Sequence, residues 1–83
     1  MLSRGLAYLA AQFDRMGLRH IPAVANFMLV EVGRGRELFN ALQREGVIVR
    51  PMDGYGLPQY IRVTVGTPAE NRRLVRAMEK RLK

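Results

Sequence analysis

The sequence predicts an α+β fold, a small and mainly antiparallel three-stranded sheet covered by helices in the order α-β-α-β-β-α. Three observations carry this. Apolar residues recur at steps of three and four near both ends and in the middle of the chain, short runs rich in β-formers lie between them, and glycine or proline marks each change of period. No repeat and no low-complexity linker divides the 83 residues, so they make one domain, residues 1–83, of about the smallest size that folds without disulfides or metals.

From Leu2 to Met16 the large apolar residues Leu2, Leu6, Leu9, Phe13 and Met16 form one stripe of a core-facing helix stopped by Gly17. Gly17 to Pro22 reads as a short extended connection, with His20 on the surface or satisfied locally. Asn26 to Val32 (NFMLVEV) is too short for a helix of its own and rich in β-formers, which makes it the central strand. Gly33 and Gly35 form a turn, and Arg36 to Glu45 a second helix with Leu38, Phe39 and Leu42 inward and Gly46 as its stop. The Gly-Arg-Gly of that turn lacks the third glycine of a dinucleotide fingerprint and the lysine of a P-loop.

Val47 to Arg50 reads as the next strand, with Pro51 ending its pairing for want of an amide proton. Met52 to Gln59 is a loop with Gly54, Gly56 and Pro58 around Tyr55. In the strand Tyr60 to Val65, strict alternation sends Ile61, Val63 and Val65 to one face and Tyr60, Arg62 and Thr64 to the other. Thr67 as N-cap, Pro68 at the first helical position and Glu70 closing a capping box then open the last helix, with Leu74, Val75, Met78 and Leu82 inward.

The charge of +7 comes from 14 basic against 7 acidic residues and invites a nucleic-acid reading. Only Arg72, Arg73, Arg76, Lys80, Arg81 and Lys83 approach a cluster, at the negative end of the last helix, where cations are favoured anyway. Neither a Gly-x-x-Gly clamp nor an aromatic stacking pair accompanies them. No apolar run reaches the roughly 18 residues of a membrane span, so the expectation is a soluble, cytoplasmic chain that binds neither membrane nor nucleic acid.

Catalytic chemistry is thin. There is no cysteine, His20 alone cannot hold zinc, Ser3 has no credible base, the acids stand singly, and both lysines fall among the last four residues. No residue is therefore assigned as catalytic, as cofactor-binding or as a metal ligand. What remains is a pair of strand arginines, Arg50 and Arg62. An arginine in such a place snorkels to water, pairs with a neighbouring acid such as Glu31 or Asp53, or meets an anion that its planar fork grips in two-pronged fashion.

The run from Pro22 to Leu82 resembles the C-terminal small domain of histidinol-phosphate aminotransferases, members of the fold-type I family dependent on pyridoxal phosphate. The resemblance rests on Asn26-Phe27, on Gly46-Val47-Ile48-Val49-Arg50, on Tyr55-Gly56-Leu57-Pro58, and above all on Ile61-Arg62-Val63-Thr64-Val65-Gly66-Thr67 followed by Glu70-Asn71. It implies that Arg62 grips the α-carboxylate of an amino donor, usually glutamate. It further implies that Arg50 meets the other end of a substrate, phosphate or distal carboxylate, and that the Gly54 to Pro58 loop with Tyr55 borders the entrance. Implied substrates are amino acids, 2-oxo acids and a phosphorylated amine. The parent implied is a homodimeric enzyme of histidine biosynthesis whose pyridoxal phosphate is attached to a lysine outside this chain. Aromatic amino acid aminotransferases and phosphothreonine decarboxylases are siblings with the same kind of domain. A small basic nucleic-acid-binding module, or a stand-alone partner of another subunit, is the alternative of a different class. Ala23 stands where relatives often carry serine, and the large domain is missing, so the chain is expected to be a piece of a longer enzyme, inactive alone.

Overall fold

The computed structural model describes residues 2–22 and 26–82 as a two-layer α+β unit. Three helices, α1 (Leu2–Arg15), α2 (Gly35–Arg44) and α3 (Pro68–Leu82), pack on a sheet of β1 (His20–Pro22), β2 (Phe27–Glu31), β3 (Arg50–Pro51) and β4 (Tyr60–Thr64). Strand order is β1-β2-β4-β3 with every neighbouring pair antiparallel. β2 and β3 thus run parallel to each other with β4 inserted between them, and α2 makes the crossover over β4.

Two expectations about the sheet are corrected. It has four strands, because His20–Pro22 pairs as an edge strand with Val30, Leu29 and Met28 where only a connection was expected. Three residues are too few to show a period, so their pairing is decided by the free edge of β2. The strand expected over Val47–Arg50 is also displaced. Only Arg50 and Pro51 join the ladder, opposite Arg62 and Ile61. Val47 and Val49 are buried and Ile48 is exposed, as in a strand, and they run on beside Val63 and Thr64 without joining the ladder.

Pro51 does not end the pairing, because its missing donor faces away from β4. The Met52 amide bonds the Tyr60 carbonyl at 3.2 Å, so the two-residue alternation of an antiparallel ladder puts Pro51 and Ile61 in a non-bonded pair.

The helices form where the apolar stripes lie. Leu9 and Phe13 of α1, Leu38 and Leu42 of α2, and Leu74, Val75 and Met78 of α3 close on Met28, Val30, Ile61, Val63 and Val65 of the sheet. Leu82, expected inward, is 37% exposed at the end of α3. Both α1 and α2 end on glycine at positive φ, Gly17 at 74° and Gly46 at 79°. In each, paired amide bonds from the glycine and its successor (Gly17 to Asp14 and Leu18 to Phe13; Gly46 to Gln43 and Val47 to Leu42) cap the last carbonyls. The capping box of α3 forms as expected, with Glu70 N–H donating to Thr67 Oγ1 at 3.2 Å and Thr67 N–H to Glu70 Oε1 at 2.8 Å. Ala23 lies outside the described residues.

All three helices contribute to one core, so the other face of the sheet is left uncovered by any described element. A transverse row of Ile21, Leu29, Arg62 and Arg50 crosses this face, flanked by Phe27 with Thr64 and by Glu31 with Tyr60.

Candidate functional site

The uncovered face carries two arginines without an ion-pair partner among the described residues. Register sets Arg50 directly opposite Arg62 across β3 and β4, on the same face of the sheet. Like charges directly opposite in an antiparallel pair destabilise it, so a fold that keeps two guanidiniums there gains nothing from the pair itself. Together with Ile48, Val49, Pro51 and Thr64 they line a shallow concavity of about 240 Å³.

The acids that would serve a purely structural role are engaged elsewhere. Glu31 is 3.9 Å from Arg19, and Asp53 takes both prongs of Arg36 at 2.9 Å each. Among the described residues neither Arg50 nor Arg62 has a carboxylate partner. Arg62 is the more constrained of the two. Its Nε is buried without an acceptor, and its Cζ lies 4.2 Å from the centroid of the Phe27 ring. The structure therefore brings two of the three sequence-predicted site residues together. Tyr55 is not among the residues lining that concavity; it sits 68% exposed at the end of a single 3₁₀ turn, Asp53–Tyr55.

That turn is nonetheless firmly placed. Leu57 N–H bonds Met52 O, Tyr60 N–H bonds Leu57 O, and Gly35 N–H bonds Pro58 O, which folds residues 52–59 back on themselves and ties them to the start of α2. The Arg36 to Asp53 fork adds a side-chain clasp. It holds the Asp53 carboxyl below its ordinary value, chiefly by hydrogen bonding, and raises Arg36 correspondingly.

Two structural roles carried no motif in the sequence. Gly35 is required by a close approach, since a Cβ there would meet the Tyr60 carbonyl oxygen at 2.5 Å. Asn71, 3% exposed, accepts from Gly66 N–H at 2.9 Å and donates to Gly66 O at 3.2 Å, fixing the chain as it leaves β4 for α3. The signal present in the sequence was the Glu70-Asn71 pair that follows Gly66-Thr67. A larger hollow of about 870 Å³ lies beside it, between Tyr8 and Arg4 of α1 and the start of α3. Its polar groups Asn71, Gly66, Thr67 and Glu70 bond one another, while Arg4 and Arg72 at its edge have no ion-pair partner among the described residues.

The basic side of α3 is engaged in part within the fold, with Arg72 and Arg76 left exposed. Lys80 and Arg81 pair with the Glu45 carboxylate and Arg73 with the Glu45 carbonyl. His20 Nε2–H donates to the Asp14 carboxylate at 2.8 Å, which makes it a local anchor between β1 and α1. Among the described residues no helix is long and apolar enough to cross a membrane, and no acidic, histidine or cysteine cluster suits a metal.

The residues described do not fit pyridoxal phosphate. Its Schiff base needs a lysine, and Lys80 is 69% exposed at the far end of α3 and faces Glu45 at 3.8 Å.

Comparison with known proteins identifies the family and the fold. The model of the family described as aminotransferase class I and II matches residues 2–78. The histidinol-phosphate aminotransferase of Symbiobacterium thermophilum is 54% identical over 76 residues, covering 90% of this chain and 21% of that protein. That of Akkermansia muciniphila is 48% identical over 75 residues, covering 90% and 21%. The chain thus spans about a fifth of the length of these curated relatives. The solved histidinol-phosphate aminotransferase of Clostridium acetobutylicum superposes with a TM-score of 0.86 over 98% of this chain and 26% of its own, at 20% identity, a likeness of fold. An α+β unit with an open sheet face, matched by that family's model over nearly its whole length, belongs to the class I and II aminotransferases.

Proposed function

We propose that the chain is the C-terminal small domain of a pyridoxal-phosphate-dependent aminotransferase and supplies the anion-binding half of its substrate site. The parent reaction we assign is amino transfer between histidinol phosphate and 2-oxoglutarate in histidine biosynthesis, in a cytoplasmic homodimer. The single observation that carries this reading is the opposed pair Arg50 and Arg62 on the uncovered sheet face, with no carboxylate of the described residues to neutralise them. Two arginines lining one hollow suit a single multiply charged group better than two distant ones. A phosphate ester, or the carboxylate that replaces it in the second half-reaction, would meet both arginines together.

The chemistry of the amino group belongs to the cofactor, which the rest of the enzyme must hold. This chain orients the substrate by its anionic end, and Tyr55 with the loop 52–59, outside that hollow, is assigned to the border of the entrance. Alone, it is expected to be inactive.

The test is a chimera. This chain replaces the matching segment of the Symbiobacterium thermophilum enzyme, and glutamate-dependent transamination of histidinol phosphate is followed with the intact arginines and with Arg62→Ala and Arg50→Ala. Turnover in the parent chimera, falling by roughly 30- to 1,000-fold in Arg62→Ala as a charged hydrogen-bonded contact is lost, supports the reading. A cofactor-loaded chimera whose Arg62→Ala form turns over normally would falsify it.

A further inference from the structure

Phe27 opens β2 on the uncovered face, where an aromatic ring is only half-buried and gains less than it would beneath the helices. It pairs with Thr64, which makes Arg62 its diagonal neighbour across the strands, within reach of an aromatic side chain. The guanidinium does reach it. Cζ lies 4.2 Å from the ring centroid, well inside the roughly 6 Å over which a ring attracts a cation. Leu29 is the cross-strand partner of Arg62 on the same side, in a non-bonded pair where side chains stand closest. Arg62 Nε is sealed in this packing with no acceptor. A donor buried in that way is tolerable only if the group as a whole is stabilised, and the π face of Phe27 is the described feature that does so.

We propose that Phe27 is a positioning residue. Its ring is a platform that holds the Arg62 guanidinium flat and in one rotamer, so that the fork is already set toward the Arg50 concavity before any anion arrives. Arginine otherwise loses much rotamer freedom on binding, and a fork fixed in advance avoids that loss. Arg50 is exposed and stacks on no ring among the described residues. The two arginines therefore differ in kind, one preset and one free to adapt. The use of the platform for substrate rests on the function proposed above; the holding of Arg62 does not.

Side-chain nitrogen NMR of the 83-residue chain separates the two. In the unaltered chain, Arg62 Hε is expected upfield of the other arginine signals, through the ring current, and slow to exchange with water. Phe27→Leu should return it to the common position with fast exchange, while Phe27→Trp, which keeps a π face, should retain the displacement. Titration with inorganic phosphate at constant ionic strength should give a dissociation constant about 2- to 10-fold weaker for Phe27→Leu and near the original for Phe27→Trp, the range expected of a partly exposed cation–π contact. Backbone amide spectra report whether each variant is folded, and Phe27→Met, closer in volume, takes the place of the leucine variant if that one is not. An Arg62 signal unmoved by loss of the ring overturns the proposal. Phosphate binding absent from the unaltered chain would instead count against the anion site, with the Hε displacement still deciding whether Phe27 holds Arg62.

Discussion

Replacing Arg50 by glutamine should stabilise the ligand-free chain while weakening its hold on anions. Arg50 and Arg62 face each other in a bonded antiparallel pair, for which Cα atoms stand about 5.5 Å apart. Arg50 is exposed and free to turn toward water, while Arg62 is half-buried against Phe27. A charge separation of about 7 Å, somewhat beyond the Cα spacing, enters the Coulomb energy. At an effective dielectric of about 40 to 80 the repulsion is then roughly 0.6 to 1.2 kcal/mol at low salt. Physiological salt, with a screening length of about 8 Å, cuts this to about half. Arg50 is exposed and makes no ion pair among the described residues, so glutamine gives up little else. For a domain of this size the low-salt gain raises the melting temperature by roughly 2 to 10 °C.

The assay is thermal unfolding by circular dichroism at about 10 mM ionic strength, repeated near 1 M sodium chloride, where screening within about 3 Å should erase the difference. Adding phosphate at fixed ionic strength should close the gap from the other side, because a ligand of the native state stabilises only the chain that binds it. A variant no more stable than its parent at low salt, or a gain indifferent to salt, would refute the idea that the two guanidiniums repel across an empty site.

Gly35→Ala should cost about 1 to 3 kcal/mol, as overpacking does, because the new methyl meets the Tyr60 carbonyl oxygen at 2.5 Å and that of Pro58 at 3.1 Å, both backbone atoms that yield only if the turn moves; urea unfolding measures it. Asn71→Ala should cost roughly 2 to 4 kcal/mol, since both polar groups of Gly66 lose their partner. Asn71→Asp, which keeps the acceptor and loses the donor, should fall between. The Arg36 clasp makes stability depend on acid. Asp53 titrates below its ordinary value of 3.8 in the folded chain, so its contribution is fully present above that value and is lost as pH falls through the depressed one. Unfolding scans from pH 5 downward should show a smaller acid loss in Asp53→Asn than in the parent, and an equal loss would rule the clasp out.

Much of this molecule is determined by residues read one after another. The three helices follow from apolar steps of three and four, two of their ends from Gly17 and Gly46, and the start of α3 from Thr67, Pro68 and Glu70, because these depend on neighbours within a turn. The alternation of Tyr60 to Val65 likewise decides which way Arg62 points, since successive strand residues face opposite sides. Arg62 was thus legible as a charge on the less buried face.

Only the tertiary structure decided which residues meet. The fourth strand His20–Pro22 exists because the edge of β2 is free to pair, and on the opposite edge only Arg50 and Pro51 of the run from Val47 join the ladder. The register that sets Arg50 opposite Arg62, the ring of Phe27 beneath one of them, and the diversion of Asp53 to Arg36 join positions 12 to 35 residues apart in the chain. No local propensity encodes such distances. They are fixed by one hydrophobic core that admits a single register of its strands, and the candidate site is what that register leaves on the other face.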